Sequence, residues 1–252
     1  MTSPIRYSHL SRMSRSALHY QAAASGTYYA DTPAMRTGRL VHGLVLGGPS
    51  APVVYEGERR GKAWQEFQLL HDGAEIVTRS EADRAIPIAD AVLGDPIAGP
   101  LVRAVSARRE TRIEWSIGGR ACAGTPDSYD PATGILLDLK TTTSARPADF
   151  ARHTWAYHYH GQLSWYRHAL ETLGESVSTC LLVAVETAAP YGVSVHRLSP
   201  RILAEGERAW RAWWEQLMVC EATGQWPGYA ESIVDLDVPA WLADIDEDGE
   251  DE

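Results

Sequence analysis

The sequence predicts a mixed α/β domain, a central mixed β-sheet flanked by helices. Three observations lead there. ETRIEWSI, RACAGTPDSYD and ILLDLKTT (residues 110–142) have the length of strands and are punctuated by turn residues, Gly118-Gly119 and the PATG of 131–134. TCLLVAVET and YGVSVHRL read as two further strands separated by AAP. Helical patterns stand before, between and after these groups, so both faces of one sheet can be covered.

The elements follow in order. Ser14 is placed to cap a helix through RSALHYQAAA, and a second helix covers about 35–46 (MRTGRLVHGLVL). KAWQEFQLLHDG is a helix stopped by Gly73. SEADRAIPIADAVLG and PIAGPLVRAV continue the helical region to about residue 105, with breaks near Pro87 and Gly94. A three-strand meander follows, then one helix over about 147–173, from Pro147 to Gly174. After the last two strands, Pro200 opens a long helix to about Thr223. No internal repeat is present. The reading is one domain over 1–242, with a helical part (1–105) and a core (106–228), followed by an acidic, disordered tail over 243–252.

Composition narrows the function. The net charge of −10 is concentrated in DIDEDGEDE (244–252), which carries seven acids, so the body is close to neutral. The overall basic signature of a nucleic-acid binder is therefore missing, and any such surface must be a local groove. No apolar run reaches the ~18 residues a membrane helix needs. The N-terminus MTSPIRYSHLSRMSRS lacks the apolar stretch of a secretory signal, so a cytoplasmic location is expected. Cys122, Cys180 and Cys220 are far apart and form no CxxC, which excludes a disulfide framework, a zinc clamp and an iron–sulfur cluster.

Chemistry concentrates in GTPDSYDPATGILLDLKTT, residues 124–142. With PATG as the loop, Asp130 pairs with Ile135, and counting inward sets Asp127 opposite Asp138 on one face. Lys140 shares that face, whereas Leu137 and Leu139 point the other way. Like charges directly opposite each other destabilise a sheet, so a cation between them is the natural reason to keep both. Magnesium suits the arrangement, because it binds one or two carboxylates and retains several waters. A lysine beside it can orient or deprotonate an attacking water. The alternative is a solvent-facing hairpin with unrelated charges, and the apolar context ILLDLK speaks against it. The Gly118-Gly119 turn pairs Glu114 with Ala123, on the face of Asp127 but four residues, ~13 Å, away along the strand.

GTPD followed by LDLK resembles the PD-(D/E)xK nuclease core, with Asp138 in the (D/E) place. GRLVHGLVL with His42, GQLSWYRHAL with Gln162 and Tyr166, and the early SRSALHY resemble the RecB-like and RecE-like branch, including phage and prophage exonucleases. The resemblance spans about residues 11–228 and implies a restriction-endonuclease-like fold. It further implies that Asp127, Asp138, the carbonyl of Leu139 and His42 hold magnesium, for which manganese substitutes. Lys140 would activate water, and Glu114 would contribute through a water or a second layer of contacts. Gln162 and Tyr166, four apart on one helical face, would approach the DNA strand. Arg15 and Ser16, at a helix start, would grip a terminal 5′ phosphate. Arg59, Arg60 and Lys62 are further phosphate candidates.

The implied activity is hydrolysis of duplex DNA from its ends, 5′ to 3′, in recombination, alongside a single-strand annealing protein. A ring-shaped homo-oligomer and no membrane association complete the expectation. An endonuclease or single-strand nuclease on the same core, or a non-catalytic DNA-binding module, are the other readings.

Overall fold

The structure is a computed structural model that describes residues 3–27, 32–47 and 52–238. The acidic tail lies outside the described residues. The N-terminal part runs through α1 (Tyr7–Leu10), a 3-10 turn (Ser11–Ser14), α2 (Ala17–Ala24) and α3 (Pro33–Leu46). It continues with β1 (Val53–Tyr55), α4 (Gly61–Leu70), β2 (Ile76–Thr78), α5 (Arg79–Gly94) and α6 (Ala98–Val102). Then come β3 (Arg108–Arg109), β4 (Ile113–Ile117), β5 (Arg120–Gly124), β6 (Ser128–Asp130) and β7 (Ile135–Thr142). The chain ends in α7 (Pro147–Ala156), α8 (Tyr159–Thr172), β8 (Thr179–Glu186), β9 (Val193–Arg197) and α9 (Pro200–Thr223).

The central sheet is mixed, as expected, with five strands in the order β3-β6-β7-β8-β9. Strand β7 pairs with β8 in parallel, and every other contact in this sheet is antiparallel. Alternation divides β7 between two cores. Leu137 and Leu139 join Leu181, Val183 and Val185 of β8 against α3 and α5, through residues such as Val41, Ala85 and Ile88. Leu136 points the other way, with Leu182 and Ala184, into an aromatic core built on Trp165 and Trp210 of α8 and α9. The indoles of Trp165 and Trp210 meet edge-on, 5.2 Å between centroids. Asp138 and Lys140 emerge on this second face. No helix among the described residues is long and apolar enough to cross a membrane.

Several expectations needed correction. The meander is not one sheet: β4 and β5 form a separate two-stranded hairpin, while β6 leaves it to pair with β3 and β7. The break falls at Thr125-Pro126-Asp127, where Pro126 has no N–H to continue a ladder. Ser14 does not cap α2; it sits in the 3-10 turn, and Ser16 is the cap, accepting from the His19 N–H. Pro87 does not break α5, which runs through it with Ala85, Ile88, Ala89 and Val92 all buried. Packing on both sides of the proline outweighs the lost helical hydrogen bond. Helix 147–173 is two helices, divided at His158, whose backbone is left-handed (φ 56°). Three short strands lie outside the sequence expectation: β1 and β2, which pair in parallel across α4, and β3, which pairs with β6.

Candidate active site

Strand β6 stops at Ser128, opposite Leu137, so Asp127 lies one residue beyond the ladder rather than paired with Asp138 within it. Its carboxylate takes the place of a neighbouring strand: the Leu139 N–H donates to Asp127 Oδ2 at 2.7 Å. The same oxygen lies 3.5 Å from Nδ1 of His42, which α3 delivers from the other side of β7. The expected pairing of Asp127 directly opposite Asp138 is therefore not made; a side-chain-to-backbone bond holds Asp127 beside β7 instead.

Asp138 is 1% exposed, and its Oδ1 has no hydrogen-bond partner among the described residues. Its Oδ2 is 2.7 Å from Nζ of Lys140. Nζ also donates to Oε1 of Gln162 at 3.0 Å and lies 4.8 Å from the centre of the Tyr159 ring. Burial raises the Asp138 carboxyl, Lys140 draws it down and the charge of Asp127 pushes it up, which together leave it at about 6. For Lys140, burial by itself would favour the neutral amine. The charges of Asp138 and Asp127 outweigh that and hold the lysine above its ordinary value, so it stays an ammonium at neutral pH. Tyr166, one turn beyond Gln162, is buried and raised to about 12 by that burial and by the charges of Asp138 and Asp127. Gly124 of the GTPD stretch makes room for it: a Cβ there would come within 2.6 Å of Tyr166 Cε1. These contacts bring His42, Asp127, Asp138, Leu139, Lys140, Gln162 and Tyr166 together.

Six expected residues lie outside this group of contacts. Glu114 pairs with Ala123 as anticipated, but on the separate hairpin, where its carboxylate is 62% exposed and bound to Arg112 at 2.7 Å. Arg15 donates to the Tyr229 hydroxyl, and Ser16 is buried as the α2 cap with its Oγ 2.7 Å from His19 Nδ1. Arg59, Arg60 and Lys62 are ion-paired with Glu81, Glu58 and Glu66.

The acid that does reach the site is Glu110. It lines a cleft of about 1130 Å³ together with His42, Leu139 and Lys140. Its N–H donates to the Asp127 carbonyl at 3.0 Å, and its Oε2 is buried with no partner among the described residues. Arg109 fixes the preceding residue by donating to the carbonyls of Val102 and Ala104. Glu110 is left-handed (φ 44°), a conformation that nothing in ARRETRIEW announces. Arg12, from the N-terminal 3-10 turn, lines the same cleft and was likewise not anticipated.

Among the described residues, no group of three His, Cys, Asp or Glu side chains is drawn together tightly enough to hold a metal ion by itself. Lys140 supplies the positive charge that buried Asp138 requires. The donor chemistry nevertheless fits a hard divalent cation: an orphaned oxygen on each of Asp138 and Glu110, the Asp127 carboxylate, a backbone carbonyl and one imidazole.

Similarity to known proteins agrees with this architecture. No curated protein matches the chain. A proposed exonuclease from Eubacterium rectale shares the fold, with a TM-score of 0.66 at 14% identity over 97% of this chain and 93% of that one. A phage-related exonuclease from Haemophilus somnus 129PT aligns over 87% of this chain and 96% of its own at 13% identity, but with a TM-score of only 0.37. Residues 7–236 match the family described as a PDDEXK-like domain of unknown function (DUF3799). The chain belongs to that family, and its mixed sheet with flanking helices is a PD-(D/E)xK nuclease core.

Proposed function

We propose that the chain is a magnesium-dependent exodeoxyribonuclease that degrades duplex DNA from its ends, 5′ to 3′, and serves recombination. The observation that carries this reading is the clasp at the floor of the cleft, where one buried ammonium is shared between Asp138 and Gln162 beside Asp127.

The residues that would hold the cation are Asp127, Asp138, the Leu139 carbonyl and His42, with Glu110 added from its unpartnered oxygen. When bound, magnesium supplies positive charge at the phosphate and lowers the pKa of water. The side chains do the rest. An ammonium has three N–H donors. In Lys140, Gln162 accepts from one of them and Asp138 Oδ2 lies 2.7 Å from the nitrogen as an ion pair, so the ammonium keeps donor capacity for the attacking water or a phosphate oxygen. Lys140, its ammonium supported by the charges of Asp138 and Asp127, acts as an orienting donor and charge stabiliser. Gln162 fixes the ammonium laterally, and the Tyr159 ring covers it. Manganese should replace magnesium, since both accept oxygen ligands. A ring-shaped homo-oligomer and a single-strand annealing partner belong to the same proposal.

The test is incubation with linear and covalently closed duplex in magnesium. Loss of the linear substrate while the circle persists is expected. A linear substrate that survives would reject nuclease action, and equal loss of the circle would make the protein an endonuclease.

A further inference from the structure

The aromatic surface of the cleft continues past Tyr159, which covers the ammonium, to Tyr157 and His153, which the cation and lysine chemistry does not use. We propose, resting on the nuclease reading above, that Tyr157 and Tyr159 form a shelf on which an unpaired nucleobase stacks, so that the reacting strand enters the site single-stranded. The juxtaposition is direct: the Tyr159 ring lies 4.8 Å from Lys140 Nζ, and the Tyr157 ring stacks beside it at 5.7 Å and 30°. Behind them His153 sits 5.9 Å from the Tyr157 ring and is tied to the end of β7 through Thr142 Oγ1 at 2.9 Å. All three rings line the catalytic cleft.

Tyr157 is 62% exposed, although a tyrosine ring is usually covered where neighbours allow it. Its exposure is built in by the backbone. Tyr157 ends α7, and the left-handed His158 that follows turns the chain into α8. The Tyr7 hydroxyl locks that turn by donating to the His158 carbonyl at 2.7 Å. The ring is thus presented to the cleft by a fixed scaffold.

The occupant follows from the chemistry. Sugar and phosphate are bound by cations and hydrogen bonds, whereas a flat aromatic face adjoining an ammonium matches a base attached to the phosphate that the ammonium contacts. Every base offers such a face, so the shelf does not read sequence. Inside a duplex those faces are hidden in the stack. A blunt end frees only the outer face of its last pair, whereas a strand parted from its complement frees every base. That makes a frayed end or single strand the substrate that fills the shelf; a blunt hairpin that binds as tightly as oligo(dT) overturns single-stranded entry.

The experiment measures binding by the full chain with calcium in place of magnesium, substrate integrity being checked on gels. Three labelled probes are compared: a ten-nucleotide oligo(dT), an abasic deoxyribose-phosphate strand of the same length, and a blunt hairpin duplex. Wild type should bind oligo(dT) more tightly than the abasic strand. Tyr157→Ala should weaken oligo(dT) binding roughly 5- to 100-fold and leave the abasic strand unchanged, while Tyr157→Trp should retain it. An unchanged oligo(dT) affinity in Tyr157→Ala, or equal losses for the oligo(dT) and abasic strands, overturns the shelf. If wild type still degrades linear duplex in magnesium, the nuclease reading survives that outcome. Failure of wild type to bind any of the three probes removes both.

Discussion

The ammonium of Lys140 lies 2.7 Å from Asp138 Oδ2 and donates to Gln162 Oε1 at 3.0 Å, so a strand and the helix packed over it share one buried charge. Each partner can be removed separately, and the consequences differ.

Lys140→Ala takes away the donor without touching a cation ligand. Turnover of linear duplex should fall by about 10²- to 10⁴-fold, while manganese still binds in calorimetry. Turnover near wild type would take Lys140 out of the mechanism.

Gln162→Ala leaves the charge in place but frees it to move. A fall in kcat of roughly 10- to 100-fold with KM nearly unchanged is expected. Gln162→Glu keeps an acceptor for the ammonium and should recover part of the loss. If kcat holds and KM rises, Gln162 instead binds substrate directly.

The pH response comes from Asp138. Its carboxyl is raised to about 6, first by burial, and the protonated form is a poor cation ligand. Proton and cation compete for the same oxygens. The affinity for manganese should therefore be constant above about pH 7 and fall as pH drops through 6, approaching a tenfold loss per unit. Calorimetry from pH 5 to 8 reads this, and a flat profile would show that Asp138 is not a ligand.

Glu110 and Glu114 make a paired comparison. Glu110→Gln should weaken manganese binding about 10-fold or more, because its buried oxygen faces the cleft without a partner among the described residues. Glu114→Gln, at an exposed pair with Arg112, should behave as wild type. The reverse result would restore the sequence expectation.

These two glutamates mark what the sequence discloses and what it withholds. Local signals were readable: the Gly118-Gly119 and PATG turns set the registers Ile117 to Arg120 and Asp130 to Ile135 as counted. Alternation along ILLDLK correctly separated Asp138 and Lys140 from Leu137 and Leu139. What failed depends on distant contacts. Strands of two or three residues, such as β3 and β1, have too little pattern to detect and exist through their partners. Glu110 reaches the cleft because Arg109 is anchored to the end of α6 and because Glu110 bonds to the Asp127 carbonyl. Neither contact is visible in ARRETRIEW.

The division of α7 from α8 has the same tertiary origin and a consequence for stability. Helix α9 crosses α8 at Gly206, where a Cβ would stand 2.5 Å from the His160 carbonyl oxygen and 2.9 Å from the Gly161 nitrogen. Both are backbone atoms that cannot swing away. Gly206→Ala should cost about 1–3 kcal/mol, read as a lowered midpoint in thermal or urea unfolding. An unchanged midpoint would mean that the two helices separate at little cost.

Crystals soaked in manganese and measured at its absorption edge test the whole account most directly. The prediction is an anomalous peak within bonding distance of carboxylate oxygens of Asp127 and Asp138. Full soaking with no peak at that corner, or a peak only on surface carboxylates, would contradict it.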